Sequence, residues 1–281
     1  MTKLLLLVFA TLLGSGSLVQ AETLKINGAT TPNLPVAEAA EILRAEKGMD
    51  IQVDTQGGSA GGISMLGDGL VQLGMTSKHV SAEDKAKYPK VDFREIKIGA
   101  DAVALIVSRD VWENGVRSIS KEEMRGIYEG RIKNWKELGG TKSQRIAFFN
   151  KEPGRGTWEN FANWAYGSAK NAPQVSFPEV GGNEETRNKV ASTRGALSQL
   201  SASWVDNEKI FALALEADDG RIVEPSNENV GNKSYPMSRD LSLLSNGEPT
   251  GEAKAFVEFI LSPRGQELVK KHGYLPLSEL K

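Results

Sequence analysis

Apolar and polar positions change period repeatedly along the chain. Thr23-Leu-Lys-Ile26 alternates and stops at Asn27-Gly28, which predicts a short strand and a turn. Pro35 to Leu43 carries apolar residues at helical spacing. Asp50-Ile-Gln-Val-Asp54 alternates again, Gly57 to Gly62 reads as a loop, and Ile63 to Leu70 reads as a short helix before a third strand, Val71 to Met75. Val103-Ala-Leu-Ile-Val107 is a continuous apolar run, as a strand buried on both faces requires. Ser120-Lys-Glu-Glu123 predicts a capping box for a helix through Ile127, and Arg145 to Phe149 predicts a strand. Thr157 opens an aromatic-rich helix that Gly167 ends, and Val190, Leu197 and Leu200 predict a further helix. Gly251 to Leu261 is helical, Pro263 interrupts it, and a second short helix runs to His272 with Gly273 as its cap. With no internal repeat and no low-complexity linker, this alternation predicts an α/β protein.

The first segment has a different character. Lys3 gives a positive start, Leu4 to Leu13 is apolar, Gly14-Ser-Gly-Ser17 breaks the run, and Val19-Gln20-Ala21 fits a small-residue cleavage rule. Ten apolar residues reach about 15 Å as a helix, against roughly 30 Å of hydrocarbon. The pattern predicts a secretory signal peptide cut after Ala21 and a soluble exported chain.

Composition narrows the chemistry. The 281 residues are 40% hydrophobic and 25% charged, ordinary for a globular protein of one or two domains. There is no cysteine, which excludes disulfides, thiolate metal sites and cysteine nucleophiles, and His79 and His272 are the only imidazoles. A net charge of −2 is not the footprint of a nucleic-acid or membrane coat. Such a chain can hold an anion only in a local site.

Three loop-to-helix junctions offer one. Gly28-Ala-Thr-Thr-Pro32, Gly57-Gly-Ser-Ala-Gly-Gly62 and Gly154-Arg-Gly-Thr157 each place small residues, backbone N–H groups and a hydroxyl at a helix start. A helix N-terminus has unpaired donors and about half a positive charge, so three aimed at one point would hold a multivalent oxyanion. Each junction alone is also ordinary capping chemistry. None fits a nucleotide-binding fingerprint. No Ser/His/Asp order with credible triad spacing and no metal-ligand cluster is present, so no catalytic residue, metal or cofactor is expected.

Gly28-Ala-Thr-Thr31, Gln56-Gly-Gly-Ser-Ala-Gly61, Gly74-Met-Thr-Ser-Lys78, Gly130-Arg-Ile-Lys-Asn-Trp-Lys-Glu-Leu-Gly-Gly140, Glu152-Pro-Gly-Arg-Gly-Thr157, Tyr235-Pro-Met-Ser-Arg239 and Leu261-Ser-Pro-Arg-Gly-Gln-Glu267 fall in a telling order. In that order the chain resembles periplasmic phosphate-binding proteins of the PstS type, over nearly the whole mature length. The 130–140 stretch is the most specific piece. The resemblance implies a two-lobed type II periplasmic binding fold with a ligand cleft between lobes. It also implies delivery of inorganic phosphate to an inner-membrane ABC permease, by a periplasmic monomer that binds no nucleic acid. Lobe 1 is expected to comprise residues 22–104 plus 236–281 and lobe 2 residues 105–235, with hinge crossovers near Ala104 and Tyr235.

The resemblance carries a phosphate site onto Thr30 and Thr31, Ser59 and the Ala60 N–H, and Gly156 and Thr157. Lys151 stands at the family's Arg position and Arg155 at its Ser position. Ser77, followed by Lys78, stands where some members place an acid. Lys151 offers a point charge instead of a planar fork, and Arg155 is either a replacement fork or a solvated charge. With a hydroxyl at Ser77, exclusion of sulfate rests on less than a carboxylate would give. Another oxyanion (sulfate or a phosphonate) on the same fold, or a non-transport sensor or interaction protein, are the alternatives. A phosphate-ester hydrolase lacks both metal ligands and an activated nucleophile. His79 reads as a surface or capping residue, His272 as a complement to a helix dipole, Glu184-Glu185 as a helix-start pair, and Trp135, Trp158 and Trp164 as packing.

Overall fold

One strand of sixteen residues, Phe93–Ser108, contributes to the two largest hydrophobic cores and to a smaller third, and its last eleven residues are all buried. The computed structural model describes residues 23–280. The expected signal peptide and its cleavage site lie outside that range. The chain opens with β1 (Leu24–Gly28), α1 (Thr30–Lys47), β2 (Ile51–Asp54), α2 (Gly58–Gly67), β3 (Leu73–Thr76) and α3 (Ala82–Lys87) before reaching the long strand, β4. It continues through α4 (Arg109–Glu113), β5 (Ser118–Ile119), α5 (Lys121–Tyr128), β6 (Ala147–Phe148), β7 (Asn150–Lys151), α6 (Gly156–Tyr166), β8 (Glu179–Val180), α7 (Asn183–Ser192), β9 (Ala196–Ser201), β10 (Ile210–Glu216), β11 (Ile222–Val223) and α8 (Asn227–Gly231). It returns in β12 (Ser238–Asn246), α9 (Gly251–Leu261) and α10 (Pro263–Lys271).

Within the sheet, β2 and β3 flank β1 in parallel, β12 runs antiparallel to β3, and β4 runs antiparallel to β12. The first half of β4, Phe93 to Ala102, faces β12. From Val103 onward the strand pairs instead with β9 and β10. The apolar run at Val103–Val107 is therefore the second half of a strand of which only the first five residues, Phe93 to Lys97, border solvent.

One core gathers Ile26, Val36, Leu43, Met75, Leu243, Phe256, Ile260 and Tyr274, from both ends of the chain. The other gathers Leu105, Val107, Tyr128, Trp135, Phe161, Leu197 and Leu213 from its middle. Trp135 is fully buried and its Nε1 donates to the Gly195 carbonyl, so this tryptophan is packing, as read from sequence. Each such apolar side chain contributes about 1.5–3 kcal/mol when fully buried.

Two boundaries differ from the sequence reading. Leu197 and Leu200 lie on strand β9, not on a helix with Val190. The helical period ends with α7 at Ser192, and Gly195, at φ 72°, turns the chain into the sheet, where every residue of β9 is buried. A strand buried on both faces shows no alternation, so its leucines mimic a helical spacing. The second difference is that α1 begins at Thr30 and α2 at Gly58, each about five residues earlier than the apolar period. The hydroxyl and glycine loops are thus the first turns of helices.

The early start of α1 has a local cost. Pro35 lies inside it and has no N–H to give the Thr31 carbonyl four residues back. The Tyr274 hydroxyl, from beyond α10, donates to that carbonyl at 2.5 Å. Burial, with the Asp101 charge second, pushes the Tyr274 phenol up to about 12, which keeps it a donor at any ordinary pH. Replacing Tyr274 by Phe removes the donor and leaves a buried carbonyl unpaired. Urea unfolding of Tyr274→Phe should show stability lowered by about 1–3 kcal/mol. An unchanged midpoint would show that the α1 start does not need this bond.

Candidate functional site

The starts of α1, α2 and α6 come together between the two cores. Their N-cap residues, Ala29, Gly57 and Arg155, make no side-chain cap bond. In contrast, α3, α5, α8 and α10 are capped by Ser81, Ser120, Ser226 and Ser262. Helices α4, α7 and α9 also start without a side-chain cap bond. Thr31, Ser59 and Thr157 sit in the first turns of α1, α2 and α6 and are buried, with hydroxyls turned away from their own helices. At the end of β1, Asn27 holds the turn before α2 by two bonds to the Gln56 backbone, at 2.9 and 3.0 Å.

At the centre stands a residue to which sequence reasoning gave no chemistry. Arg239, on β12, donates from Nη1 to Thr157 Oγ1 at 2.9 Å and to Ser77 Oγ at 3.2 Å, and from Nη2 to Thr31 Oγ1 at 3.1 Å. Its other edge is held by Asp101 on β4, whose Oδ2 accepts Nε at 3.1 Å and Nη2 at 2.7 Å. Both side chains are only 2% exposed. Burial pushes the Asp101 carboxyl up, and the facing guanidinium offsets part of that by stabilising the charged form. Ser59 completes the ring, its Oγ accepting the Ser77 N–H at 3.1 Å and lying 3.4 Å from Ser77 Oγ. Three hydroxyls, from α1, α6 and the loop after β3, thus accept from one guanidinium, and a fourth, from α2, joins them through Ser77.

The expected contacts divide in two. Thr31, Ser59, Ser77, Gly156 and Thr157 are brought together, and Thr30 is half-buried at the head of α1, beside Gly182. Four others are engaged elsewhere. The Ala60 N–H donates to the Gly154 carbonyl at 3.1 Å. The Lys78 ammonium pairs with Glu159 at 2.7 Å. The Arg155 guanidinium lies over Gly58 and is held by Glu152, at 2.8 and 2.7 Å. Lys151 is 1% exposed, and its ammonium donates to the carbonyls of Gly181 and Gly182 and to Thr186 Oγ1, at 2.7, 3.1 and 2.5 Å. Burial, then the Arg155 and Arg239 charges, hold Lys151 well below the usual lysine range. Of the two readings of Arg155, the pairing with Glu152 leaves its guanidinium engaged beside the ring, and the guanidinium at the ring's centre is that of Arg239. The signal for it was faint: a charged pair, Asp101 and Arg239, inside two strands whose neighbours are buried.

The remaining singled-out residues are peripheral. His79 is exposed and its Nδ1 meets Glu95 at 2.9 Å. His272 caps α10 and meets Glu38 of α1 at 2.8 Å. Glu184 and Glu185 occupy the first turn of α7. An open cavity of about 620 Å³, lined by Trp112, Arg117, Ile222 and Glu224 among others, lies away from the ring, and another, of about 540 Å³, borders it at Ser77 and Arg239.

Several contacts join the two sides of the ring. Asn160 of α6 donates to the Ser77 carbonyl at 3.0 Å and to the Gly156 carbonyl at 2.7 Å. Gly156 approaches so closely that a β-carbon there would stand 2.3 Å from Ser77 Oγ and 2.8 Å from Ser59 Oγ.

A family model described as a PBP superfamily domain matches residues 14–264. The fold is that of a two-lobed solute-binding protein. The phosphate-binding protein PstS of Bacillus subtilis is 33% identical over 272 residues, covering 95% of this chain and 83% of that protein. A crystal structure of a phosphate ABC transporter substrate-binding protein from Clostridium perfringens, with bound phosphate, is 30% identical, covers 91% of this chain and 100% of its own, and superposes with a TM-score of 0.80. An ABC-type phosphate transport receptor from Vibrio cholerae shares the fold at 24% identity and a TM-score of 0.70, over 90% of this chain and 99% of its own. The chain belongs to the PBP superfamily and, within it, to the PstS family.

Two substitutions test this geometry. Gly156→Ala should keep the fold and lower anion affinity about tenfold or more, because the added methyl prevents α6 from meeting Ser59 and Ser77. Arg155→Ser should change affinity by no more than about threefold, since the side chain serves Glu152 in a half-exposed pair. Calorimetric titration reads both, and a large loss in Arg155→Ser would return the fork to Arg155.

Proposed function

We propose that this chain captures inorganic phosphate between its lobes and delivers it to an ABC importer. The observation that carries the reading is the ring around Arg239: a buried guanidinium, four hydroxyls and three uncapped helix starts on one enclosed point. Each hydroxyl oxygen already accepts a fixed N–H, so its own proton is left to donate. An oxyanion with four oxygens uses such a set fully. The phosphate named for the Bacillus subtilis and Clostridium perfringens relatives supports the choice of anion.

In this reading, residues 22–104 and 236–281 form one lobe and 105–235 the other. The division is supported by the two cores and by the change of partners along β4 between Ala102 and Val103. Thr31, Ser59, Ser77 and Arg239 bind from the first lobe, Gly156 and Thr157 from the second, and closure excludes water. Export to the periplasm, cleavage after Ala21, action as a monomer and docking on an inner-membrane permease complete the proposal. In this reading the chain binds and releases its anion without turning it over.

Protein stripped of ligand by unfolding and refolding, then titrated with phosphate, should bind one equivalent. Absence of binding would overturn the reading, and hydrolysis of a phosphate monoester would replace it with an enzyme. Thr31→Val and Ser59→Ala should each cost about 1.5–3 kcal/mol of binding, roughly tenfold to a hundredfold in affinity, with thermal unfolding of the free protein little changed. Unchanged affinity in both would place the anion elsewhere.

A further inference from the structure

We propose that Asn183 is the residue by which this chain tells hydrogenphosphate from sulfate, and that the buried Lys151 is the positioning residue that holds it in place. The inference rests on the phosphate reading above. Hydrogenphosphate carries one P–OH proton, and sulfate at neutral pH carries none. A site built only of donors treats the two alike; selectivity needs an oxygen that can accept that proton.

Among the ring groups, acceptors are scarce. The oxygens of Thr31, Ser59, Ser77 and Thr157 each accept an N–H already. Asp101 turns its Oδ2 to Arg239 from behind. Asn183 is the exception. It is 2% exposed, opens α7, and its carboxamide lies 3.4 Å from Thr31 Oγ1, the hydroxyl that Arg239 also holds. A carboxamide presents both a donor and an acceptor at one place, and a half-turn about its last bond exchanges them. Here Nδ2 donates to Thr31 Oγ1, which leaves Oδ1 as the acceptor at the edge of a ring of donors.

Lys151 explains why Asn183 stands there. Gly182 is the N-cap of α7 and abuts the head of α1, where a β-carbon on it would meet Thr30 Cγ2 at 3.4 Å. The Lys151 ammonium binds the carbonyls of Gly181 and Gly182 and the hydroxyl of Thr186, which donates in turn to the Gly182 carbonyl at 2.8 Å. Three acceptors on three hydrogens fix the two residues before Asn183 and the helix turn after it. The cation expected to touch the anion instead orients the residue that reads its proton.

The test compares affinities for inorganic phosphate and sulfate, by calorimetry at a pH where HPO4²⁻ predominates. Asn183→Leu keeps the volume and removes the acceptor. It should lower the phosphate-to-sulfate affinity ratio roughly tenfold or more, chiefly through phosphate. Asn183→Asp, which keeps an acceptor, should retain the ratio. Lys151→Met should lower the ratio as Asn183→Leu does, and the double variant should lower it no further than Asn183→Leu alone, whereas a merely structural loss would weaken both anions together. If Lys151→Met does not fold, the two Asn183 variants decide. An unchanged ratio in Asn183→Leu, with wild type binding phosphate, overturns this proposal and leaves the phosphate reading standing. Wild type that binds no phosphate overturns the reading beneath it.

Discussion

The buried pair of Asp101 and Arg239 is the constraint on which the site depends. The two residues are direct register partners on antiparallel β4 and β12, next to the point where β4 passes from one core to the other. A guanidinium in such a place would be intolerable alone; removing one member of a buried pair typically costs about 3–5 kcal/mol. Asp101 makes the burial possible by taking one edge of the fork, and so leaves Nη1 and Nη2 to reach Ser77, Thr157 and Thr31. The sheet thereby decides where the anion site lies, and the helices arrive at it.

That pairing also sets the electrostatics. Asp101 cancels the unit charge of Arg239, so a dianion at the ring faces a neutral pair. Its charge must be met by donors and dipoles, which is what three uncapped helix starts provide, each worth about half a positive charge at its N-terminus. Serine caps, such as those on α3, α5, α8 and α10, would use up those N–H groups. The sequence accordingly places Ala29, Gly57 and Arg155 where a surface helix would carry a cap. An overall charge of −2 is no obstacle, because the site acts at hydrogen-bond range and not through the field of the whole molecule.

Much of this was legible in the residues. The α/β alternation, the capping boxes at Ser81 and Ser120 (the second read from sequence) and the hydroxyl loops are local patterns, and local patterns survive in sequence. The order of the motifs from Gly28 to Glu267 carried the family. What escaped was set by tertiary contact. Arg239 lies about eighty residues beyond Thr157 and two hundred beyond Thr31, and the Tyr235–Arg239 motif that it ends marked the family without giving the arginine any chemistry. Lys151 and Arg155 sit in a binding loop, yet one turns back to α7 and the other to Glu152, because a neighbouring acceptor outbids a distant one. Leu197 and Leu200 were misleading for the opposite reason: a strand buried on both faces has no period to read.

The same contacts explain why closure can answer to an anion. What joins the two sides of the ring is a short set of polar bonds: Lys78 to Glu159, Asn160 to the Ser77 carbonyl, the Ala60 N–H to the Gly154 carbonyl, Asn183 to Thr31 and Arg239 to Thr157. Each replaces a bond to water and is worth about 1 kcal/mol net, and the partly exposed Lys78–Glu159 pair no more. The apolar cores meet along β4 and its neighbours, where Ala100, Ala102, Met237 and Leu275 pack with the core built from the middle of the chain. A ligand shifts such a balance only by binding one arrangement better than the other. An oxyanion bound at the ring, as proposed, would meet that condition, because the groups facing it come from both sides: Thr31, Ser59, Ser77 and Arg239 from one, Thr157 and the first turn of α6 from the other. Separated, either half offers a partial set in water; together they offer a complete set away from it.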